Sequence, residues 1–179
     1  MTVTVFFSFS QPLLYAASDD PPLYAPLNDW LYRGGQPSDK GFEKLKKAGI
    51  RTVVNFRNEG KWIHSEKQKV EALRMKYVSL PWNIMRPVKP ELLDEFFKVL
   101  DDPKNRSVFF HCEHGRDRSG VMATLALMRY EGLSEEEARG QALETIHPHF
   151  RYLYFVNQKI KFFLKERKDK IRDGSALSG

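Results

Sequence analysis

The sequence contains one cysteine, Cys112, among 179 residues. A single cysteine cannot form a disulfide within the chain, and it excludes a metal site built from clustered thiolates. The 5 histidines would have to bind a metal without thiolates, and none of them stands at a spacing typical of metal ligands. We therefore predict neither a metal nor any other cofactor.

Charged residues are missing from positions 1–17. The apolar run at residues 3–9 and the small residues Ala16 and Ala17 resemble the core and cleavage site of a secretory signal peptide, although the usual basic start is absent. The alternative is an N-terminal arm packed on the domain. We expect a periplasmic or secreted protein, with a cytoplasmic location as the alternative. No membrane span is predicted, because the stretch is shorter than the roughly 20 residues that a spanning helix needs.

Internal repeats and a second domain are also absent from the sequence. A chain of 179 residues with 41% apolar content and 13 Phe is typical of one domain with a sizeable core. We assign residues 1–20 to the signal peptide or arm, residues 21–167 to the domain and residues 168–179 to a flexible tail.

Positive charge exceeds negative charge by 6. Such an excess suits a polyanionic partner, which could be nucleic acid, anionic lipid or a highly phosphorylated small molecule. Much of the excess lies in residues 159–170, a run more typical of a solvated helix face. Because a nucleic-acid role would depend on overall charge alone, we predict a small phosphorylated partner and no nucleic acid. Nothing in the sequence indicates an oligomeric state.

Strand and helix patterns alternate along the chain. Strands are predicted at residues 30–37 (an edge strand), 51–56, 77–80 and 108–110, and helices at residues 38–49, 67–76, 90–100, 120–130, from 134 and up to 164. Ser38 and Ser134 are the predicted helix caps, the second within a capping box with Glu137. This alternation predicts a single α/β domain with a central, mostly parallel sheet of four to five strands, flanked by helices on both faces.

The loop after the strand at residues 108–110 contains the only cysteine. A loop that enters a helix points unpaired backbone N–H groups and the positive end of the helix dipole at one spot, which makes an anion site. A cysteine at such a site favours the thiolate, which is the nucleophilic form. Arg118 offers two parallel hydrogen bonds to a phosphate group, and the Ser119 hydroxyl is placed to donate to the sulfur.

A lone cysteine is more often a small buried apolar residue than a nucleophile. Here His111, Gly115, Arg118 and Ser119 all stand at useful spacings around Cys112, which favours the functional interpretation. The resulting pattern, His-Cys-x5-Arg-Ser, resembles the phosphate-binding loop of the cysteine-dependent phosphatases, the superfamily of protein tyrosine and dual-specificity phosphatases.

The resemblance extends over about residues 30–164. It includes the segment Tyr-Arg-Gly-Gly-Gln-Pro at residues 32–37, whose place in the chain is similar to that in atypical dual-specificity phosphatases of bacteria, fungi and plants. It implies a dual-specificity-phosphatase-like fold and a two-step reaction. Cys112 would attack phosphorus to form a phosphocysteine, and water would then release phosphate.

The sequence differs from the superfamily pattern in the residue that would act as the general acid. Most members supply an aspartate from the loop after the third strand, but residues 81–90 contain no carboxylate. Our preferred candidate is Asp117, because loops that end Asp-Arg-Ser resemble those of phosphatases acting on inositol lipids and inositol phosphates. Glu91 and Asp94 are the alternatives, and Asp117 would then only order the loop.

Basic residues are frequent around the predicted site. Besides the catalytic set of Cys112, Arg118, Asp117 and Ser119, we predict that the following residues bind substrate: Glu113, His114, Gly115, Arg116, Arg57, Lys61 and Arg86. A ligand with several phosphates would use so many cations. The chain also resembles bacterial dual-specificity-type phosphatases that act on inositol phosphates, and this resemblance implies a phosphatase of inositol polyphosphates. The alternatives are a protein tyrosine or dual-specificity phosphatase and a module that binds a phosphorylated ligand without turnover.

Overall fold

The computed structural model describes residues 20–58, 60–144 and 150–173. In chain order the elements are β1 (Ala25–Pro26), β2 (Leu31–Gly34), α1 (Asp39–Lys47), β3 (Thr52–Asn55), α2 (Lys61–Ala72), β4 (Lys76–Ser79), α3 (Glu91–Asp101), a 3₁₀ turn (Pro103–Asn105), β5 (Val108–His111), α4 (Asp117–Tyr130), α5 (Glu135–Glu144) and α6 (Phe150–Asp173). The predicted signal peptide or arm lies outside the described residues, except for Asp20.

The five strands form one sheet in the order β1-β2-β5-β3-β4. Only the pairing of β1 with β2 is antiparallel, and β2, β5, β3 and β4 run parallel to one another. The predicted α/β fold with a mostly parallel sheet is therefore confirmed. The prediction of an edge position for residues 30–37 was wrong, because the two-residue strand β1, too short to leave a sequence pattern, covers that edge of β2.

Helices cover both faces of the sheet. Successive side chains of a strand point to opposite faces. On one face, Val53 and Phe109 pack against residues of α1 and α2, such as Leu45 and Val70. On the other face, Val54, Val108 and Phe110 belong to the larger core, which α3, α4 and α6 complete. The central strands β3 and β5 are buried on both faces, so the loop at the end of β5 has a rigid support.

Both predicted helix caps are present. The Gly41 N–H donates to the Ser38 hydroxyl at 3.3 Å. At the start of α5, the Glu137 N–H donates to the Ser134 hydroxyl at 3.3 Å, while the Ser134 N–H donates to the Glu137 carboxylate at 2.9 Å. This reciprocal pair is the predicted capping box.

Three predicted boundaries differ from the structure. Helix α2 begins at Lys61 rather than at residue 67, and α4 begins at Asp117 rather than at residue 120. The first turn of α4 is polar and borders the loop, whereas the first turn of α2 is largely exposed to solvent and includes Trp62, which is 61% exposed. In both helices the buried apolar periodicity therefore starts only later. Helix α6 continues to Asp173 with Ile171 fully buried, so the first six residues of the predicted tail are helical.

None of the helices in the described residues combines the length and the apolar character that crossing a bilayer requires.

Candidate active site

The Cys112 loop lies at the end of the central strand of the sheet. It follows β5, which pairs with β2 on one side and β3 on the other. Because these strands are parallel, the segments that follow β2 and β3 emerge at the same edge and border the loop. Gly120 N–H donates to the Arg116 carbonyl at 2.8 Å, so the earlier N–H groups of the first turn of α4 have no carbonyl partner within the helix.

Cys112 is buried, and only 3% of its surface is exposed. Its sulfur lies 3.4 Å from the hydroxyl oxygen of Ser119, which is also buried in the first turn of α4. The structure thus brings the predicted nucleophile and the predicted donor to its sulfur into contact. Their roles in a reaction stay predictions.

Arg118 is tethered by two backbone carbonyl groups. Its guanidinium donates to the Phe56 carbonyl at 2.9 Å and, more weakly, to the Trp82 carbonyl at 3.4 Å. These carbonyls belong to the segments that follow β3 and β4. They hold the guanidinium across the end of the sheet, next to the loop. The role of Arg118 in binding phosphate stays a prediction.

Glu113 faces two guanidinium groups. One carboxylate oxygen lies 3.9 Å from Arg57 and the other lies 3.9 Å from Arg118. The carboxylate is half-exposed, and Arg57 also donates to the Gln36 side chain at 2.8 Å. Glu113, predicted to bind substrate, therefore occupies the position of an anion between two cations.

Asp117 has an environment that favours the protonated acid. Burial raises the pKa of its carboxyl group, although Arg116, His114 and Arg118 act in the opposite direction. Its Oδ1 atom is buried without a hydrogen-bond partner in the described part of the chain, and so is the Nε atom of Arg116. A carboxyl group that keeps its proton is the form that a general acid needs.

The remaining predicted residues lie in different settings. His114 is exposed, while Gly115 is buried with a φ of +70°. Arg86 is exposed in the segment after β4, and its carbonyl accepts a hydrogen bond from Lys159 at 2.8 Å. Lys61 begins α2, but its side chain lies outside the described residues. The alternative acids Glu91 and Asp94 lie in the first turn of α3.

Glu66 is a residue of the site that the sequence analysis missed. It lies on α2, is 5% exposed, and its carboxylate is 3.0 Å from the Nε2 atom of His111. Its other oxygen accepts a hydrogen bond from Gln36 at 2.8 Å. A single glutamate in a polar helix gives no signal of this position, because 45 residues separate it from His111.

Arg33 is a second missed residue, although it belongs to the recognised segment at residues 32–37. It is 1% exposed and donates to the Ala142 carbonyl at 2.8 Å and to the Gly115 carbonyl at 3.2 Å. Burial lowers the pKa of Arg33 to about 10, and the charge of Cys112 acts against that shift. Arg33 is therefore a buried cation that holds the loop at Gly115.

Metal ligation finds no support in the part of the chain that the structure describes, where no three His, Cys, Asp or Glu side chains form a ligand group. The chemistry available here is that of a thiol, a hydroxyl, a buried carboxyl and several guanidinium groups around one anion site.

Comparison with known families gives a match over most of the chain. Residues 8–149 match the model of a family described as a DSP-PTPase phosphatase fused to NAD+ kinase. The chain is 25% identical to rice "Probable NAD kinase 2, chloroplastic" over 117 residues, which are 63% of this chain and 12% of the rice protein.

Two further relatives are phosphatases by name. The chain is 26% identical over 114 residues to the dual specificity protein phosphatase TpbA of Pseudomonas aeruginosa, covering 63% of this chain and 49% of TpbA. It is 23% identical over 108 residues to the inositol diphosphatase DSP3 of Arabidopsis thaliana, covering 57% of this chain and 52% of DSP3. The match thus spans about half or less of the length of these relatives.

Solved structures share the fold. A cysteine-to-serine variant of P. aeruginosa TpbA in complex with pTyr gives a TM-score of 0.72 at 18% identity, with 90% of this chain and 96% of that chain covered. The core catalytic domain of the PP-IP phosphatase SIW14 from S. cerevisiae, in complex with citrate, gives 0.71 at 14% identity, with coverage of 89% and 96%.

Proposed function

Because the chain belongs to the family of DSP-PTPase phosphatases described as fused to NAD+ kinase, we propose that it hydrolyses phosphate monoesters of inositol polyphosphates through a phosphocysteine intermediate. The main support for this proposal is the contact between the Cys112 sulfur and the Ser119 hydroxyl beside the N-terminus of α4. It combines a nucleophile, a donor to that nucleophile and an anion site in one place.

In the first step the Cys112 thiolate attacks phosphorus. The sulfur–phosphorus bond forms while the bond from phosphorus to the substrate oxygen breaks, and that oxygen takes the proton of Asp117. The N–H groups of the loop and the guanidinium of Arg118 stabilise the charge on the three remaining phosphate oxygens.

In the second step a water molecule attacks the phosphocysteine. The ionised Asp117 carboxylate accepts a proton from the water, the sulfur–phosphorus bond breaks, and phosphate leaves. The Ser119 hydroxyl donates a hydrogen bond to the departing thiolate, which makes the sulfur a better leaving group. The enzyme returns to its starting state with Asp117 protonated.

The surrounding cations support a substrate with more than one phosphate. A single phosphate would engage the loop and Arg118, which leaves Arg57 near Glu113, and Arg116 and His114 near Asp117. Each hydrogen bond from such a cation to a phosphate contributes about 1.5–3 kcal/mol. The similarity to a protein named inositol diphosphatase supports the same substrate class.

A phosphotyrosine substrate is the second candidate. The similarity to TpbA, whose variant was solved with pTyr, supports it. Two exposed apolar side chains also favour it, since Trp62 is 61% and Met85 is 59% exposed on the segments that follow β3 and β4. Such side chains at the active edge of the sheet suit an aromatic ring or a peptide better than a charged inositol ring.

Export is a separate proposal, which depends on residues 1–17. An exported enzyme of this class would release phosphate from substrates outside the cytoplasm. N-terminal sequencing of the protein purified from its own cells tests it, because cleavage after Ala17 gives a mature chain that begins at Ser18. An intact Met1 in the cytoplasmic fraction would contradict export.

Substrate class is tested by phosphate release from three compounds measured in parallel: inositol hexakisphosphate, a phosphoinositide lipid and a phosphotyrosine peptide. Each assay includes the Cys112→Ser protein, which should bind the substrate without turnover. We expect the fastest release from the soluble inositol phosphate. Preference for the peptide would contradict the substrate class, and equal activity of Cys112→Ser would remove Cys112 as the nucleophile.

A further inference from the structure

Glu66 has no place in the reaction described above, although its carboxylate is buried beneath the loop. Both of its oxygens are engaged, one with His111 at 3.0 Å and the other with Gln36 at 2.8 Å. The hydroxyl of Tyr77 also interacts with it. A buried carboxylate with three partners is costly to place and is usually compensated by a nearby positive charge.

His111 is the neighbour that supplies such a charge. Its Nε2 atom faces the Glu66 carboxylate, and its Nδ1 atom lies 3.1 Å from the carbonyl oxygen of Cys112. An ionised carboxylate and a carbonyl oxygen accept hydrogen bonds and do not donate them. Both contacts are therefore hydrogen bonds only when both ring nitrogens carry a proton, which is the imidazolium form.

Burial by itself disfavours a charged histidine, so the imidazolium form depends on the ionised Glu66 carboxylate. His111 is fully buried and stacks on Phe109, with ring centroids 5.8 Å apart. Burial acts to raise the pKa of Glu66, but His111, Gln36 and Arg57 outweigh it and hold the pKa below the ordinary value of 4.5. Burial and the charge of Glu66 raise the pKa of Tyr77, which therefore stays neutral at physiological pH.

We propose that Glu66 is a positioning residue of the site: its buried carboxylate holds His111 as an imidazolium, so that a fixed positive charge and a hydrogen bond to the Cys112 carbonyl stand directly behind the nucleophile. The cation stabilises the thiolate without touching the substrate. The proposal depends on the proposed function only in taking Cys112 as the nucleophile.

The same carboxylate also reaches the opening of the site. Gln36 donates to Glu66 with its amide nitrogen and accepts from Arg57 with its amide oxygen at 2.8 Å. The backbone N–H of Gln36 donates to the backbone carbonyl of Glu113 at 3.1 Å, and the Arg57 guanidinium lies 3.9 Å from the Glu113 carboxylate. Glu66 thus orients groups behind and in front of the sulfur, which a glutamate that only filled space would not do.

Nuclear magnetic resonance of the full chain with isotope-labelled histidine tests the charge directly. His111→Asn identifies the His111 signal by its loss. In the unaltered protein at about neutral pH we expect both ring nitrogens of His111 to have imidazolium shifts, because both face acceptors. The shifts of a neutral tautomer would overturn the proposal without any variant of Glu66.

Variants of Glu66 test the consequence for Cys112. Glu66→Gln should return His111 to a neutral tautomer and slow alkylation of Cys112 by iodoacetate at about pH 6 by about tenfold, because the thiolate loses a buried cation. Glu71→Gln is the matched control, since it removes an exposed carboxylate from the same helix. It should change neither readout.

Glu66→Asp is a second variant in case Glu66→Gln does not fold, because it keeps the negative charge and removes only one methylene group. It should retain imidazolium shifts and an intermediate alkylation rate. Unchanged shifts and rates in a folded Glu66→Gln protein would overturn the proposal. Neither readout uses a substrate, so a failure here is distinct from a failure of the proposed phosphatase activity.

Discussion

The sulfur of Cys112 and the hydroxyl oxygen of Ser119 lie 3.4 Å apart, although one belongs to the loop after β5 and the other to the first turn of α4. Both side chains are buried, so bulk water does not replace either partner. The contact exists only because α4 begins at Asp117, which turns residue 119 back toward the sulfur. Its proposed role is specific to the step in which sulfur leaves phosphorus.

Ser119→Ala should therefore slow the second step more than the first. Loss of one hydrogen bond of about 1.4 kcal/mol lowers the turnover rate by about tenfold and lets the phosphocysteine accumulate. Rapid-mixing measurements should show a burst of product close to one equivalent of enzyme. Ser65→Ala, which changes an exposed serine on α2, is the control. A uniform slowing with no burst would contradict the assignment.

Asp117→Asn should remove the high-pH limb of the rate profile. Burial raises the pKa of Asp117, so the acid keeps its proton above the ordinary value of 3.8, and activity falls as the pH rises through the raised value. The variant has no such proton to lose. Its rate should be lower by about 100-fold to 10,000-fold, and its high-pH limb should be flat.

A stability measurement separates this loss from misfolding. Because the pKa of Asp117 is higher in the folded chain, its stabilising contribution is present at low pH and is lost as the pH rises through the folded value. At neutral pH the Asp117→Asn protein should thus be at least as stable as the unaltered protein in thermal unfolding. If the pH profile of Asp117→Asn is unchanged, the general acid is Glu91 or Asp94 instead. The variants Glu91→Gln and Asp94→Asn then distinguish these two residues.

Glu113→Gln should strengthen the binding of anions. The carboxylate lies 3.9 Å from both Arg57 and Arg118 and competes with a phosphate for them. Since the side chain is half-exposed, solvent screens the effect, and we expect a gain of about threefold to fivefold in affinity for inositol hexakisphosphate by calorimetry. Glu136→Gln, on the exposed face of α5, should not change the affinity. Weaker binding would show that Glu113 is a substrate ligand.

Gly115→Ala should destabilise the fold and the loop together. A Cβ atom at this position would lie 2.5 Å from the Gly35 nitrogen, and the φ of +70° disfavours any side chain. We expect a loss of about 1–3 kcal/mol in the free energy of unfolding. Gly140→Ala is the control, because an added Cβ atom at this position of α5 would contact no described residue outside the helix's own backbone within 4 Å, and it should stabilise by about 0.5–1 kcal/mol. Equal stability of the two variants would contradict this packing.

The local features of the fold were predictable from the sequence. The caps at Ser38 and Ser134 depend on side chains three residues or fewer from their partners, and the apolar runs of β3 and β5 indicate strands by themselves. The early starts of α2 and α4 were not predictable from periodicity, because the first turn of α2 is largely exposed and the first turn of α4 borders the loop, so neither turn continues the buried apolar face.

The sequence by itself determined the proposed nucleophile, its loop and the family, because Cys112, Arg118 and Ser119 stand within one short segment and their spacing alone indicates an anion site beside a thiol. Only the tertiary structure decided what lies behind and around that loop. Glu66 and Arg33 reach it from α2 and β2 because the parallel strands end at one edge of the sheet. Contacts between residues so far apart in the chain follow from packing, which no local pattern encodes.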